Sequence, residues 1–201
     1  MSSLYWYFRA LFKAVFTALN RIEGIGCENV PKTGGVIIAA NHVSYLDPLV
    51  VGVALKRRAT YMAMEKLFSL PLIGTFVKTF SLPVRNGSPQ PSIIKEAVNR
   101  LKQGELIVIF PEGGRSADGS IMDPKRGVGV IAGISRAPVI PTLVSGTEKS
   151  LPVGAKFLRP AKIKVVFGQP IEIGIKETDR QLHERICRNI TEELKKLKGL
   201  V

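Results

Sequence analysis

Residues 35–48 read GVIIAANHVSYLDP, an apolar run that leads into a polar turn. The run at 35–40 has the composition of a strand that is buried on both faces, as in parallel sheets. Asp47 followed by Pro48 is typical of a helix start, because aspartate can cap free backbone N–H groups and proline fits the first turn. The stretch therefore predicts a buried strand, a short loop and a helix that continues to about Leu55.

The same alternation of strand and helix continues along the rest of the chain. Short apolar or alternating runs predict strands at 59–64, 81–85, 106–110, 137–146 and, in a more exposed form, 161–173. Helical periodicity predicts helices at 65–80, broken near Pro71, and at 92–104, 126–136 and 178–198. Strands that alternate with helices predict an α/β fold, with a mostly parallel central sheet flanked by helices.

Composition limits both the class of the protein and its partners. The 201 residues are 45% hydrophobic, which suits one domain with a real core and excludes a disordered or fibrous chain. Lys and Arg number 29 against 16 Asp and Glu, and the formal net charge of +13 favours nucleic acid, an anionic bilayer or a phosphorylated substrate. The cations are scattered and no nucleic-acid-binding motif accompanies them, so no nucleic-acid partner is predicted.

Cysteine and histidine are too few and too widely spaced for a metal site. Cys27 and Cys187 have no C-x-x-C or metal-type spacing and are interpreted as ordinary thiols in a reducing cytoplasm. His42 and His183 are the two histidines of the chain, so a histidine-rich metal site is not expected. The sequence also lacks a Walker A loop and a dinucleotide-binding glycine motif.

The first twenty residues are the most apolar and aromatic segment of the chain. Arg9 and Lys13 interrupt it, so it is too short and too charged for a transmembrane span, and it lacks the apolar centre of a secretory signal. At about 100° per residue, a helix would have an apolar face and a narrow opposite polar face, with Trp6 near the edge of the latter. The apolar group is Leu4, Phe8, Leu11, Val15 and Leu19, and the polar group is Arg9, Lys13, Thr17 and Asn20.

This distribution is typical of a helix that lies in the interface of a bilayer, with tryptophan and cations at headgroup depth. A helix docked on the protein's own core is the alternative. On the membrane interpretation, residues 1–25 form an amphipathic membrane-associating helix and residues 26–201 form the α/β domain. The protein would then be associated with the cell membrane at its cytoplasmic face.

His42 lies just past the end of the predicted strand, and Asp47 follows where the next helix begins. The short loop between them lets the carboxylate fold back toward the imidazole. A carboxylate on one ring nitrogen fixes the tautomer and stabilises the imidazolium that forms when the other nitrogen takes a proton. The pair is therefore a candidate general base, with one alternative, that Asp47 only caps the helix beside an unrelated loop histidine.

A second polar loop, FPEGGRS at residues 110–116, directly follows a predicted buried strand. Since sites in parallel α/β sheets lie beyond the carboxyl ends of the strands, this loop and His42 should meet at one edge. Arg115 offers a planar fork of donors for phosphate oxygens, Glu112 can accept from a hydroxyl, and the two glycines let backbone approach a ligand. The alternative is a glycine-rich surface turn with a solvated charge pair.

Together the two loops resemble the glycerolipid acyltransferase family, the 1-acylglycerol-3-phosphate acyltransferases and their relatives. That family is marked by N-H-x-x-x-x-D and F-P-E-G-T-R-S, in this order. Asn41, His42 and Asp47 match the first motif, and residues 110–116 match the second except that Gly114 stands where threonine is usual. The resemblance runs from about residue 35 to residue 145. Weaker similarities within it lie at Leu82–Arg85, at Lys125 with Gly127, and at Pro138–Pro141.

The resemblance implies transfer of a fatty acyl group from acyl-CoA or acyl carrier protein to the free hydroxyl of 1-acylglycerol 3-phosphate (lysophosphatidic acid), giving phosphatidic acid. His42 would be the general base and Asp47 would orient it, and neither a metal nor another cofactor is implied. The residues implied in holding the phosphate and glycerol of the acceptor are Arg85, Glu112, Gly113, Gly114, Arg115 and Lys125.

Two other functions remain open on the sequence. Acylation of glycerol 3-phosphate, or of another lysolipid, would use the same residues and differ only in the acceptor. A non-catalytic lipid-binding protein could dispense with the imidazole, so the presence of His42 and Asp47 favours an enzyme. Ser44 and the cysteines stand in no recognised nucleophile motif such as G-x-S-x-G, which favours direct transfer over a covalent acyl-enzyme.

Overall fold

The structure of the protein, a computed structural model, describes residues 2–69, 73–85, 89–116, 118–152, 154–155, 157–174 and 180–200. The predicted break near Pro71 and the predicted helix start at 178–179 lie outside these ranges. The helices are α1 (Ser2–Asn20), α2 (Asp47–Ala54), α3 (Ile73–Phe80), α4 (Pro91–Lys102), α5 (Arg126–Ser135), α6 (Thr147–Ser150) and α7 (Arg180–Gly199). The strands are β1 (Glu23–Ile25), β2 (Val36–Ala40), β3 (Ala59–Met64), β4 (Ser81–Val84), β5 (Leu106–Ile109), β6 (Val139–Ser145) and β7 (Lys164–Phe167).

Within the described ranges the strands form one seven-stranded sheet in the order β1-β7-β6-β2-β5-β3-β4. The strands from β6 to β4 are mutually parallel, whereas β7 is antiparallel to β6 and carries β1 as a parallel neighbour. The predicted α/β fold with a mostly parallel sheet is therefore confirmed. Strand β2 lies in the middle and all of its residues are buried, as its unbroken apolar sequence indicates.

Helices cover both faces of the sheet and divide the core into two layers. Val36, Ile38 and Ala40 of β2 pack on the side of α1 and α2. Ile37 and Ala39 point the opposite way, toward α4, α5 and α7, because successive side chains of a strand alternate between the two faces. None of the described helices combines the length and the apolar content that crossing a bilayer requires.

Strand β7 is shorter and more buried than the sequence indicates. Val165, Val166 and Phe167 are all buried, so the prediction of an exposed strand is wrong. The reason is that β1 pairs along the outer edge of β7 and Leu197 of α7 covers Val166. Strand β1 itself escapes prediction, since a three-residue strand carries no periodic signal.

Helix α1 docks on the domain through one face, the arrangement that the sequence left as the alternative. Tyr5 and Phe16 are buried in that contact. Arg9 donates to the carbonyl oxygens of Val53 and Leu55, each at 3.0 Å, and so satisfies free groups at the carboxyl-terminal end of α2. Its predicted place on an outer polar face is therefore wrong, because its guanidinium caps a neighbouring helix.

Asn20 ends α1 and is completely buried. Its Nδ2 donates to the Ser150 hydroxyl at 2.8 Å and to the Arg159 carbonyl at 3.0 Å. The predicted exposure of Asn20 is wrong for this reason, since hydrogen bonds to the domain compensate the burial of its amide nitrogen. The chain then enters β1 at Glu23, so the sheet begins before residue 26.

Helices α5 and α7 approach each other closely because α5 carries glycine where they meet. A Cβ at Gly129 would lie 2.5 Å from the His183 carbonyl oxygen, and a Cβ at Gly133 would lie 2.7 Å from the His183 ring. A backbone contact of this kind leaves no room for a side chain. The two glycines therefore set the distance between the helices.

Gly129→Ala is expected to lower the free energy of unfolding by about 1–3 kcal/mol, because the added methyl group overlaps backbone atoms of α7. Gly174→Ala is the matched control, since a Cβ there meets nothing within 4 Å. The control should change the free energy of unfolding by less than about 0.5 kcal/mol. Urea unfolding of both variants measures the difference, and equal effects would contradict the close contact between α5 and α7.

Candidate active site

The loop after β2 folds around the carboxylate of Asp47, which is completely buried. Its Oδ2 accepts hydrogen bonds from the backbone N–H groups of Val43 and Ser44, each at 2.7 Å. The same oxygen lies 2.8 Å from Nδ1 of His42. Its Oδ1 accepts from the Thr147 hydroxyl at 2.6 Å. Each oxygen therefore has a donor, as burial of a carboxylate requires.

Asp47 is not the helix cap that the sequence indicates. Helix α2 begins at Asp47 itself, with Leu46 in the cap position, and no side chain caps its first turn. The carboxylate points back to the preceding loop because its donors at residues 42–44 lie there. The alternative in which Asp47 only caps a helix beside an unrelated histidine is therefore wrong.

The imidazole of His42 is fixed through one nitrogen, and its other nitrogen is available. A neutral ring with its proton on Nδ1, shared with Asp47, has Nε2 as an acceptor. The ring stacks on Phe110, with 4.4 Å between the ring centroids, and the side chain is 17% exposed. No hydrogen bond from the described residues occupies Nε2, and His42 lines a large cavity. This is the arrangement that general-base catalysis needs.

Asn41 extends the hydrogen-bond ladder between β2 and β6. Its Nδ2 donates to the Val144 carbonyl at 3.0 Å, and its Oδ1 accepts from the Val144 N–H at 2.7 Å. A side chain that replaces a backbone partner in this way keeps the loop in register with β6. The sequence identifies Asn41 only as part of a motif, because its partner lies 103 residues away.

The loop after β5, residues 110–116, lies against the loop after β2, as the parallel strands predict. The Ser116 N–H donates to the His42 carbonyl at 2.7 Å. Gly113 has a φ of 70°, and a Cβ there would lie 2.6 Å from the Lys125 ammonium nitrogen. Glycine is therefore favoured at 113 by its backbone conformation, and the Lys125 side chain lies directly against it.

Two of the predicted phosphate-binding cations line the cavity beside the imidazole, and the third does not. Arg115 stacks over Tyr45, with its Cζ 3.6 Å from the ring centroid, and Lys125 is a second lining residue. Arg85 is absent from the described lining residues, makes a 2.8 Å ion pair with Glu65 and has a side chain that is 62% exposed. The structure therefore brings Arg115 and Lys125 together and leaves Arg85 at the surface.

The cavity has a volume of about 760 Å³ and mostly apolar walls. The loops at its polar end include Gly114, where a Cβ would meet no atom within 4 Å, so the usual threonine would find space there. A cavity of this size and lining suits a ligand with a long apolar part. Its apolar lining includes Tyr5, Phe8, Phe12, Leu49, Val53, Tyr61, Met62, Val77 and Val84.

Glu112 is a buried carboxyl group next to the His42–Asp47 pair. It is 6% exposed, and no hydrogen bond of good geometry from the described residues reaches either of its oxygens. Burial, and then the charge of Asp47, raise its pKa from the usual 4.5 to about 7, although the backbone N–H groups of His42 and Met122 lie near enough to oppose part of this shift. Because Glu112 is buried, the solvated surface-turn alternative for this loop is wrong.

Known proteins are similar to this chain in sequence and in fold. A model of the acyltransferase family matches residues 21–145. The 1-acyl-sn-glycerol-3-phosphate acyltransferase of Bacillus subtilis is 31% identical over 84% of this chain and 82% of its own length. A chloroplastic 1-acyl-sn-glycerol-3-phosphate acyltransferase of Brassica napus is 28% identical over 73% of this chain and 44% of its own length. The crystal structure of the 1-acyl-sn-glycerophosphate acyltransferase of Thermotoga maritima matches with a TM-score of 0.75 at 27% identity, covering 95% of this chain and 79% of that one.

Glu112→Gln is expected to change how stability depends on pH. The pKa of Glu112 in the folded state, about 7, lies above the usual 4.5. The contribution of the bound proton to the free energy of unfolding is therefore fully present below pH 4.5 and is lost as the pH rises through 7. Glutamine imitates the neutral form at every pH. The stability of the variant relative to wild type should therefore rise by about 2–3 kcal/mol between pH 4.5 and pH 8.

Urea unfolding of both proteins at the two pH values measures this difference. Glu65→Gln is the control, because that carboxylate is half-exposed and is paired with Arg85. A stability difference for Glu112→Gln that stays constant with pH would contradict the raised pKa of Glu112.

Proposed function

The chain belongs to the acyltransferase family, and we propose that it moves a fatty acyl group from an acyl thioester to the free hydroxyl of 1-acylglycerol 3-phosphate, giving phosphatidic acid. The observation that carries the proposal is the His42–Asp47 pair, with Nδ1 and Oδ2 2.8 Å apart, whose imidazole lines an apolar cavity that two cations also line. The names of the relatives from Bacillus subtilis and Thermotoga maritima support this acceptor.

In the proposed reaction, Nε2 of His42 takes the proton of the acceptor hydroxyl while the hydroxyl oxygen bonds to the thioester carbonyl carbon. The tetrahedral intermediate then collapses, the carbon–sulfur bond breaks, and the departing thiolate takes the proton from the imidazolium. Asp47 stabilises the imidazolium between these two steps. A positioned general base of this kind contributes roughly 10²–10⁴-fold to the rate.

Direct transfer is favoured over a covalent acyl-enzyme. The Ser44 hydroxyl donates to the Leu151 carbonyl at 3.2 Å, accepts from the Leu46 N–H at 3.3 Å and is buried. Burial raises the pKa of the Cys27 and Cys187 thiols, and neither is among the residues that line the cavity. A nucleophile would need a free, activated group facing the thioester, and none of these three side chains meets that condition.

The acceptor phosphate is assigned to Arg115 and Lys125, and the absence of side chains at Gly113 and Gly114 would allow close approach. The stacking of Arg115 on Tyr45 supports this assignment, because it orients the guanidinium fork on the cavity wall. Glu112 is absent from the described lining residues, so its assignment to the glycerol rests on the family resemblance alone. Arg85 remains a predicted phosphate ligand on the family resemblance alone. It would have to leave its ion pair with Glu65 to reach the acceptor.

The apolar cavity is assigned to fatty acyl chains, which supports a substrate with a long hydrocarbon part. Acyl-CoA and acyl carrier protein present their acyl group on the same kind of thiol, so both remain donors in this proposal, and no metal or further cofactor takes part. The net charge of +13 suits the phosphates of coenzyme A, an acidic carrier protein and an anionic bilayer alike.

Helix α1 is proposed to rest on the membrane, at its cytoplasmic face, where both the acceptor and the product are found. The side of α1 that faces away from the domain leaves Leu4, Tyr7, Leu11 and Leu19 between 47% and 67% exposed. Apolar side chains at helical spacing, open to solvent on one side of a helix, are typical of interfacial helices. Trp6, which is 42% exposed, suits headgroup depth.

His42→Ala is expected to lower kcat by roughly 10²-fold or more, because the general base is lost. The measurement is acceptor-dependent release of free thiol from a long-chain acyl-CoA in lipid vesicles. The acceptor is 1-acylglycerol 3-phosphate or glycerol 3-phosphate, and mass spectrometry identifies the product lipid. His183→Gln is the matched control, since the second histidine lies on α7 and outside the described cavity lining.

Activity with 1-acylglycerol 3-phosphate that His42→Ala abolishes and His183→Gln retains would support the proposal. Activity with glycerol 3-phosphate alone would show that glycerol 3-phosphate is the acceptor instead. If the protein shows no activity with either acceptor, the assay is repeated with acyl carrier protein as the donor. If a folded protein that binds vesicles shows no activity with this donor either, the result would reject the proposed enzyme and favour a non-catalytic lipid-binding protein.

The double substitution Leu4→Gln with Leu11→Gln is expected to weaken binding to anionic vesicles by about tenfold or more, because two apolar side chains can no longer enter the interface. Co-sedimentation with vesicles measures the affinity, and circular dichroism checks that the protein is folded. Ile134→Gln is the control, since Ile134 is 51% exposed on α5. Equal vesicle binding by the double variant and the control would reject α1 as the membrane contact.

A further inference from the structure

We propose that Thr147 is a positioning residue for the base, acting through Asp47. Its hydroxyl lies 2.6 Å from Oδ1 of Asp47, and both side chains are completely buried. Thr147 lies outside both sequence motifs and beyond the part of the chain that the family model matches. This inference rests on the proposed function, in which His42 is the general base.

The two oxygens of Asp47 are held from different parts of the chain. Oδ2 receives its donors from residues 42–44, all within the loop that Asp47 itself closes. Oδ1 receives the Thr147 hydroxyl, from a residue 100 positions further along the sequence. Without Thr147 the carboxylate would keep its local donors on one oxygen and lose its only described partner on the other. Rotation of the carboxylate about its bond to Cβ would then be restrained on one side only.

The fold places Thr147 with little freedom to move. It follows Gly146, which has a φ of 89° and at which a Cβ would overlap the Lys162 carbonyl, so glycine is favoured immediately before it. Strand β6, which leads into this turn, is tied to the catalytic loop through Asn41 and Val144. At the other end of α6, the Leu151 carbonyl accepts from the Ser44 hydroxyl at 3.2 Å. The short helix is therefore anchored to the catalytic loop on both sides of Thr147.

This placement separates a role in catalysis from a role in substrate binding. Thr147 is absent from the described lining of the cavity, so it does not touch a substrate bound there. Its hydroxyl holds the carboxylate of Asp47 in place. In the proposed reaction this carboxylate must face the imidazolium that forms when Nε2 takes the proton. Loss of the hydroxyl is therefore expected to lower kcat and to leave KM nearly unchanged. A hydrogen bond to a charged group corresponds to an effect of roughly 10- to 100-fold.

The experiment compares three full-length variants with wild type. Thr147→Val removes the hydroxyl at nearly constant volume, and Thr147→Ser keeps it. Thr191→Val is the matched control, since the buried Thr191 hydroxyl donates to the Cys187 carbonyl on α7, on the opposite face of the sheet. Thr147→Val should lower kcat by about 10- to 100-fold with KM within about twofold, and the other two variants should stay close to wild type.

Nuclear magnetic resonance of ¹⁵N-histidine-labelled protein gives a second readout that does not depend on turnover. The chain has two histidines, so the His42 signals can be assigned with His42→Ala. The Nδ1 resonance of His42 should move or broaden in Thr147→Val, and should keep its position in Thr147→Ser and Thr191→Val.

The two readouts distinguish failure of this inference from failure of the proposed function. An active wild type with unchanged kcat and an unchanged His42 resonance in Thr147→Val would overturn the inference. A loss of kcat that Thr191→Val shares equally would also overturn it, because the cause would then be general destabilisation. A wild type that is inactive with every donor and acceptor would reject the proposed function, while the resonance would still test whether Thr147 positions the His42–Asp47 pair.

Discussion

The complete burial of Asp47 is the constraint on which the rest of the site depends. A carboxylate that is removed from water is stable only when hydrogen-bond donors surround it. The loop after β2 supplies three of them, from His42, Val43 and Ser44, and Thr147 supplies the fourth. To make these bonds the loop must close around the carboxylate, and this fixes the place of the imidazole and directs Nε2 toward the cavity. The bonds that stabilise the loop therefore also orient the imidazole.

The parallel sheet explains how distant segments reach that carboxylate. Strand β2 lies between β5 and β6, and all three run in the same direction, so their carboxyl ends share one edge. The loop after β5 brings residues 110–116 against His42, and the chain after β6 brings Thr147 against Asp47. Along the sheet, the strand direction reverses only outside these three strands, between β6 and β7. The site is thus a product of strand order, which brings the first residues of α2 and α6, Asp47 and Thr147, into contact.

Sequence reasoning succeeded where the signals are local. An unbroken apolar run predicts β2, and the short loop between His42 and Asp47 predicts the contact of these two side chains, which lie 2.8 Å apart. It failed where partners are far apart in the sequence: Asn41 and Thr147 depend on the pairing of β2 with β6, which no local pattern contains. Helix α1 illustrates a third case. Apolar residues occur on most of its sides, so periodicity alone could not identify the docked face. Its polar residues Arg9 and Asn20 form hydrogen bonds with residues far away in the sequence, which no local pattern predicts.

An acyl thioester can react with water as well as with an alcohol, so the proposed transfer requires a base that serves the acceptor rather than solvent. Phe110 stacks on the imidazole and the walls around it are largely apolar, which limits the water that can reach Nε2. Low local polarity also strengthens the interaction of the imidazolium with Asp47. Arg115 and Lys125 line the same cavity as His42. A phosphate held by these cations would bring a hydroxyl of its own molecule to the base, so selection of a phosphorylated alcohol over water follows from orientation.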